Sequence, residues 1–146
     1  MTALEATAPV SPTLSAAARR FLEAPRFAIA ATLNPDGSPL QAVIWYRLEG
    51  DVVVFNSRVG RRWPGNLERD RRVSITVADG YDYVAMRGEV EIDHDPEIGQ
   101  AVIAGLARRY QQDAAAADAQ IERFATERRV TFRLHPRRVF ERLSGD

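Results

Sequence analysis

The sequence predicts a mainly β fold with peripheral helices, an antiparallel barrel closed or nearly closed on itself, and three observations predict it. Six or seven short β-compatible segments are separated by turn chemistry, most are joined as hairpins, and nowhere do strand and helix alternate as a parallel sheet requires. Closure follows because it removes exposed strand edges.

Residues 1–10 read as a flexible leader and 11–146 as one domain. Ser11 is placed to cap a helix with Pro12 at its first position, and Leu14, Ala17, Ala18, Phe21 and Leu22 recur at helical spacing until Pro25, which predicts a helix over 12–23. Residues 26–33 are apolar and β-compatible, and Asn34-Pro35-Asp36-Gly37 is a turn in which glycine supplies the positive φ. The partner strand spans 39–48. Glu49-Gly50-Asp51 then turns the chain into Val52, Val53, Val54 and Phe55, completing a three-stranded meander.

Pro64 suits the first position of a short helix ending near Asp70. Strands follow over 72–78 and 83–92, joined by Asp79-Gly80. Asp95-Pro96-Glu97 opens a helix with an N-cap, a first-position proline and an acid in the first turn, and Ile98, Val102, Leu106 and Tyr110 carry its apolar stripe to about Gln111. Residues 112–126 read equally as a loop or as a second helix through Ile121 and Phe124. Strands over 129–134 and 139–143 close the chain.

At 146 residues, 45% hydrophobic and 27% charged, the chain has the composition of an ordinary globular domain, long enough to bury about 68–70% of its unfolded surface. No stretch approaches 18 apolar residues and no export signal is present, so a cytoplasmic protein with no membrane partner is expected. The absence of cysteine excludes disulfides, thiolate metal sites and a thiol nucleophile; redox chemistry would have to come from a cofactor. Twenty basic residues balance twenty acidic ones, which argues against a nucleic-acid partner. All twenty are arginine. That reads either as coding bias or as selection for bidentate anion recognition.

Chemistry concentrates between Asn56 and Pro64. A strand ending at Asn56-Ser57, a loop with Arg58, Arg61 and Arg62, and a helix start together bring guanidinium groups and unpaired amides to one place, the physical description of a phosphate site. The alternative is a solvated arginine cluster. Trp45, Trp63, Tyr81 and Tyr83 flank these turns and read either as core or interface packing or as the wall for a flat ring. His94 and His135 are too far apart for a local metal pair, Asp95 is occupied as an N-cap, and neither Ser57 nor Ser74 has a nearby histidine base, so metal and acyl-transfer chemistry find no support.

Residues 27–45, Phe55-Asn56-Ser57, Gly60-Arg61-Arg62-Trp63-Pro64-Gly65-Asn66-Leu67, the stretch 69–73 and Tyr83-Val84 with Arg87-Gly88 together resemble the pyridoxamine-phosphate-oxidase-like split-barrel family, within it the branch using the deazaflavin coenzyme F420. The resemblance covers about residues 20–143. It implies a six-stranded antiparallel split β-barrel forming a homodimer, with cofactor sites at the subunit interface. It further implies that Arg61 and Arg62, helped by Arg58, meet the cofactor phosphate with Asn56 and Ser57 beside them. The ring system would lie along Ala42, Val43 and Trp45, with Tyr81, Asp82 and Tyr83 supplied by the partner chain. Where many deazaflavin-binding relatives carry lysine, this sequence has Trp63, which keeps FMN open as the alternative cofactor. The implied activity is hydride transfer to a small-molecule substrate; a non-enzymatic flavin- or haem-binding protein is the other class, although neither His94 nor His135 has a ligand context.

Overall fold

The computed structural model describes residues 13–145. Among them the elements run α1 (Ala16–Glu23), β1 (Ala28–Leu33), β2 (Pro39–Ile44), β3 (Arg47–Glu49), β4 (Val52–Arg58), α2 (Arg62–Arg69), β5 (Arg72–Asp79), β6 (Asp82–Asp93), α3 (Pro96–Tyr110), α4 (Ala114–Phe124), β7 (Arg129–Leu134) and β8 (Arg138–Arg142).

Local chemistry sets most of these boundaries. The first helix begins at Ala16, not at 12, because the Ser15 hydroxyl accepts the Ala18 amide at 3.0 Å. Ser11, Pro12 and the leader lie outside the described residues. The strand expected over 39–48 is two strands: β2 pairs with β1, β3 pairs with β4, and Trp45 and Tyr46 form the corner between them. That division raises the strand count from the expected six or seven to eight among the described residues. Pro64 is the third residue of α2, since the helix starts at Arg62 with an extended Arg61 as N-cap. Proline fits there because a first-turn amide has no partner inside the helix. Residues 114–124, undecided from sequence, are helical, and the Asp113 carboxylate caps them by accepting the Ala115 amide.

All strand pairs are antiparallel, in the order β2-β1-β5-β6-β7-β4-β3, with β8 also on β6. The twelve-residue β6 serves both halves of the sheet. Its first part lies between β5 and β8, and its last four residues, Val90 to Asp93, pair with β7. One strand shared between two curled half-sheets makes this a split barrel. The interior holds Val53, Phe55, Ile75, Val77, Val84, Met86, Phe132 and Leu134, with Trp63 of α2 entering from one end. On β4 the alternate residue, Val54, faces outward into a second cluster with Val102, Ile103 and Leu106 of α3.

At the β2–β3 corner Tyr46 is fully buried and donates its hydroxyl to the Leu22 carbonyl at 2.8 Å, tying α1 to the barrel. Burial, reinforced by Tyr110 and opposed by Arg109, pushes the Tyr46 phenol up to about 12. A raised pKa on an acid means that the folded state holds the proton more tightly than the unfolded chain. The stabilisation is therefore complete below the unfolded value near 10 and is lost as pH rises through about 12. Unfolding free energy measured by denaturant titration should fall between pH 10 and 12, and Tyr46→Phe should flatten that fall; equal slopes in the two proteins would contradict it. No helix among the described residues is long and apolar enough to cross a membrane.

Candidate functional site

Position along β4 decides which side chains reach the site. Asn56 shares the outward face of Val54, and its Nδ2 donates to the Gly99 carbonyl of α3 at 2.9 Å. This leaves Asn56 Oδ1 to accept from Arg129 Nε at 3.1 Å. The pairing of β4 with β7 puts Arg129 opposite Arg58 and diagonal to Asn56, so the two side chains meet on one face. Ser57 is 2% exposed, and its hydroxyl has no hydrogen-bond partner among the described residues. A buried, unsatisfied hydroxyl is the kind of exception that marks a ligand position.

After β4 the chain turns through Gly60 at φ +107°, a conformation costly for any residue with a Cβ, and enters α2 at Arg61. Arg61 has no side-chain cap bond, so the helix presents its first amides unpaired. Arg58, Arg61 and Arg62 are exposed and form no ion pair with other described residues. The helix itself is fixed from both ends of its inner face. Trp63 packs 5.8 Å from the Phe55 ring and 5.6 Å from that of Phe132. Asn66 donates at 3.1 Å to both Thr32 and Asn34 of the β1–β2 hairpin.

Together these elements enclose a cleft of about 190 Å³, lined by Val43, Trp45, Asn56, Ser57, Arg61 and Trp63 and by Ile103, Leu106, Phe124, Glu127 and Arg129. Its aromatic wall is a stack: Trp45 lies on Tyr110 at 5.2 Å and 5°, Tyr110 lies on Phe27 at 5.8 Å, and Phe124 meets Trp45 edge-on. Arg61 also borders a second, outward cleft of about 580 Å³ with Arg62, Asn34, Asp36 and Asn66. A third cleft of about 550 Å³, between Pro39, Arg72, Arg87 and Arg138, contains none of the twelve expected site residues.

Six of the twelve expected site residues therefore share one cleft. Ala42 is half-buried against the barrel core, Arg58 stands at the end of β4 opposite Arg129, and Arg62 faces the outward cleft. Tyr81 in the β5–β6 turn and Asp82 and Tyr83 at the start of β6 do not line the cleft of their own chain. Tyr81 is 87% exposed, and the Asp82 carboxylate accepts the Ser144 amide and hydroxyl. Trp63 is both cleft wall and barrel core. Sequence reasoning missed Arg129 and Glu127, which read as ordinary strand and loop residues; only the register that sets Arg129 beside Asn56 reveals them. His94 and His135 form surface contacts with Glu68 at 2.7 Å and Glu91 at 3.3 Å. Among the described residues, no group of three or more acidic or histidine side chains is placed to hold a metal ion.

A family model described as pyridoxamine 5'-phosphate oxidase matches residues 14–142. A solved structure described as an F420 reductase superposes with a TM-score of 0.67 at 27% identity, covering 84% of this chain and 94% of that one. A conserved hypothetical protein from Mycobacterium tuberculosis gives 0.72 at 24% identity, over 97% of this chain and 84% of its own. General Stress Protein 26 from Bacillus anthracis gives 0.61 at 14%, over 84% and 88%. These last two share the fold. No curated protein matches the chain.

Proposed function

Because the chain belongs to the pyridoxamine 5'-phosphate oxidase family, we propose that it is a homodimeric oxidoreductase that uses the deazaflavin coenzyme F420 to reduce an electron-poor small molecule. The observation that carries this reading is the meeting of an unpartnered buried hydroxyl on Ser57, the free guanidinium of Arg61 and the unpaired amides of α2 in one cleft. That set fits a phosphate. The similarity to an F420 reductase favours the deazaflavin. One observation favours FMN instead: Trp63 stands where many deazaflavin-binding relatives have lysine and is packed into the barrel core, so no cation is available there.

Arg61, Ser57 and the α2 amides would hold the phosphate, with Arg62 and Arg58 adding positive potential. Val43, Trp45 and the apolar side chains of Ile103, Leu106 and Phe124 would orient the ring and exclude water. When bound, the reduced cofactor supplies the hydride. No side chain is assigned as a proton donor.

Dimerisation is supported by size and by surface. At about 190 Å³ the cleft is smaller than the roughly 300–1,000 Å³ of most small-molecule sites, so one chain alone does not enclose a cofactor. Beside it, the register aligns Val43, Ile29, Thr76, Ala85 and Phe140 in one outward row across five strands. Val43 is 64% and Phe140 50% exposed. A second copy seated on this row would bring Tyr81, Asp82 and Tyr83 from its own β5–β6 turn and the start of its β6 to complete the site.

Titration with F420 and separately with FMN, followed by tryptophan quenching, tests the cofactor; light scattering on the same sample tests the dimer. Micromolar F420 binding with weak FMN binding and a doubled mass are expected, and Arg61→Ala should weaken F420 by about 1.5–3 kcal/mol. Tight FMN binding would move the protein to the flavin branch. Unchanged affinity in a folded Arg61→Ala protein would remove Arg61 from the anchor.

A further inference from the structure

The pairing of β1, β5, β6 and β8 sets Ala31, Ser74, Arg87 and Arg138 side by side in one outward row. Arg87 and Arg138 are direct cross-strand neighbours, and like charges so placed destabilise a sheet. Arg137 joins them because its amide donates to the Arg87 carbonyl at 2.9 Å. Glycine at 88 lets the β7–β8 connection lie this close to β6: a Cβ there would stand 3.1 Å from the His135 carbonyl oxygen and 3.3 Å from the Arg137 nitrogen. Among the described residues the guanidinium groups of Arg87, Arg137 and Arg138 have no hydrogen bond or ion pair; that of Arg87 lies 5.6 Å from the Phe140 ring centre. The carboxylate that lines this cleft, Glu89, stands in the next row, opposite Arg72. The row of Ser74, Arg87 and Arg138 therefore carries two positive charges and no negative one. These residues wall the cleft of about 550 Å³, a volume within the roughly 300–1,000 Å³ of small-molecule sites. Ala31, Leu33 and Pro39 give it an apolar floor, and it shares no lining residue with the cleft at Ser57 and Arg61.

We propose that this cleft is a second binding site, for a small organic oxyanion. A carboxylate, sulfonate or phosphate group would bridge Arg87 and Arg138, flanked by Arg137 and the Ser74 hydroxyl, while an apolar body lies on Ala31, Leu33 and Pro39. The bridge turns a repulsive cross-strand pair into a shared contact, and the floor rewards the body for leaving water. A bare hydrated ion collects only the first of these terms, so the site discriminates against inorganic phosphate, which a patch of solvated arginines does not. The cleft is formed within one chain and does not depend on the cofactor reading. The next outward row, from Val43 to Phe140, is the one offered to a second copy, so the cleft borders that seam.

The test is a fluorescence titration of the full chain with anilinonaphthalene sulfonate, an anion on apolar rings, followed by displacement with octanoate and with inorganic phosphate. The unaltered protein is compared with Arg87→Gln, Arg138→Gln, the double variant and, as a control on an exposed arginine of α3, Arg108→Gln. Saturable binding is expected, weakened about fivefold by either cleft substitution and about tenfold or more by both, and unchanged by Arg108→Gln. Octanoate should displace the probe at concentrations at least about tenfold below those of phosphate. Without ligand, Arg138→Gln should melt no lower than the unaltered protein, because it removes a like-charge neighbour; this also controls for folding. Absence of saturable binding, an affinity unchanged in the folded double variant, an equal loss in Arg108→Gln, or phosphate displacing as well as octanoate each overturns the site.

Discussion

Replacing Phe132 with alanine is expected to cost about 3–5 kcal/mol and to lower the melting temperature by roughly 10 °C or more. The side chain is fully buried and lies opposite Phe55 on β4 and Ile92 on β6, so it joins three strands. Its ring is stacked 5.5 Å from Phe55 and lies 5.6 Å from Trp63. Alanine would leave a cavity that strands paired on both sides of β7 cannot collapse to fill. The effect should reach function, because Trp63 anchors the start of α2 and with it Arg61 and Arg62. Thermal unfolding gives the first quantity, and F420 titration well below the melting temperature gives the second. A loss under about 1 kcal/mol would show that the three-ring cluster is not the centre of the barrel.

Gly99→Ala is expected to destabilise by about 2–3 kcal/mol through overpacking. A Cβ built on Gly99 would lie 2.6 Å from the Arg129 carbonyl oxygen and 3.1 Å from its carbonyl carbon. Both are backbone atoms of β7, so relief requires α3 and the strand to separate. That separation would disturb the Asn56 amide, which donates to the Gly99 carbonyl, and the Arg129 side chain that Asn56 orients. Chemical denaturation should show the loss of stability together with weaker F420 binding in the folded protein. Wild-type stability would mean that the helix slides along the strand without cost. Gly65, whose Cβ would meet nothing within 4 Å, is the control position: Gly65→Ala should be tolerated.

Elements with a strong local signal were legible in the sequence. The Asp95-Pro96-Glu97 start of α3 is present, with the Asp95 carboxylate accepting the Glu97 amide at 2.9 Å. The turn at Asn34–Gly37 is present with Gly37 at positive φ. The corner at Trp45 and Tyr46 was illegible because both flanking segments are β-compatible. What divides them is the choice of partner strand, a property of distant residues. α4 could not be separated from a loop because its alanines lack an apolar stripe; only Ala117 of the helix is fully buried. The arginine loop was visible as composition, yet Arg129 was not, since nothing at positions 127–129 announces that the β4–β7 register will place a guanidinium against Asn56.

The sharing of β6 between the two half-sheets bears on the order in which the molecule assembles. The β5–β6 hairpin closes across the two-residue turn at Gly80 and Tyr81, so it is a local event. The β4–β7 ladder must wait until segments separated by two strands and three helices find each other, which makes it slow in the sense that contact order measures. One side of the cleft at Ser57 and Arg61 is walled by β4, β7 and the helices between β6 and β7, so its closure belongs to the late-forming half. Its amides should be the first to exchange with deuterium in the native protein, and bound F420 should protect them most.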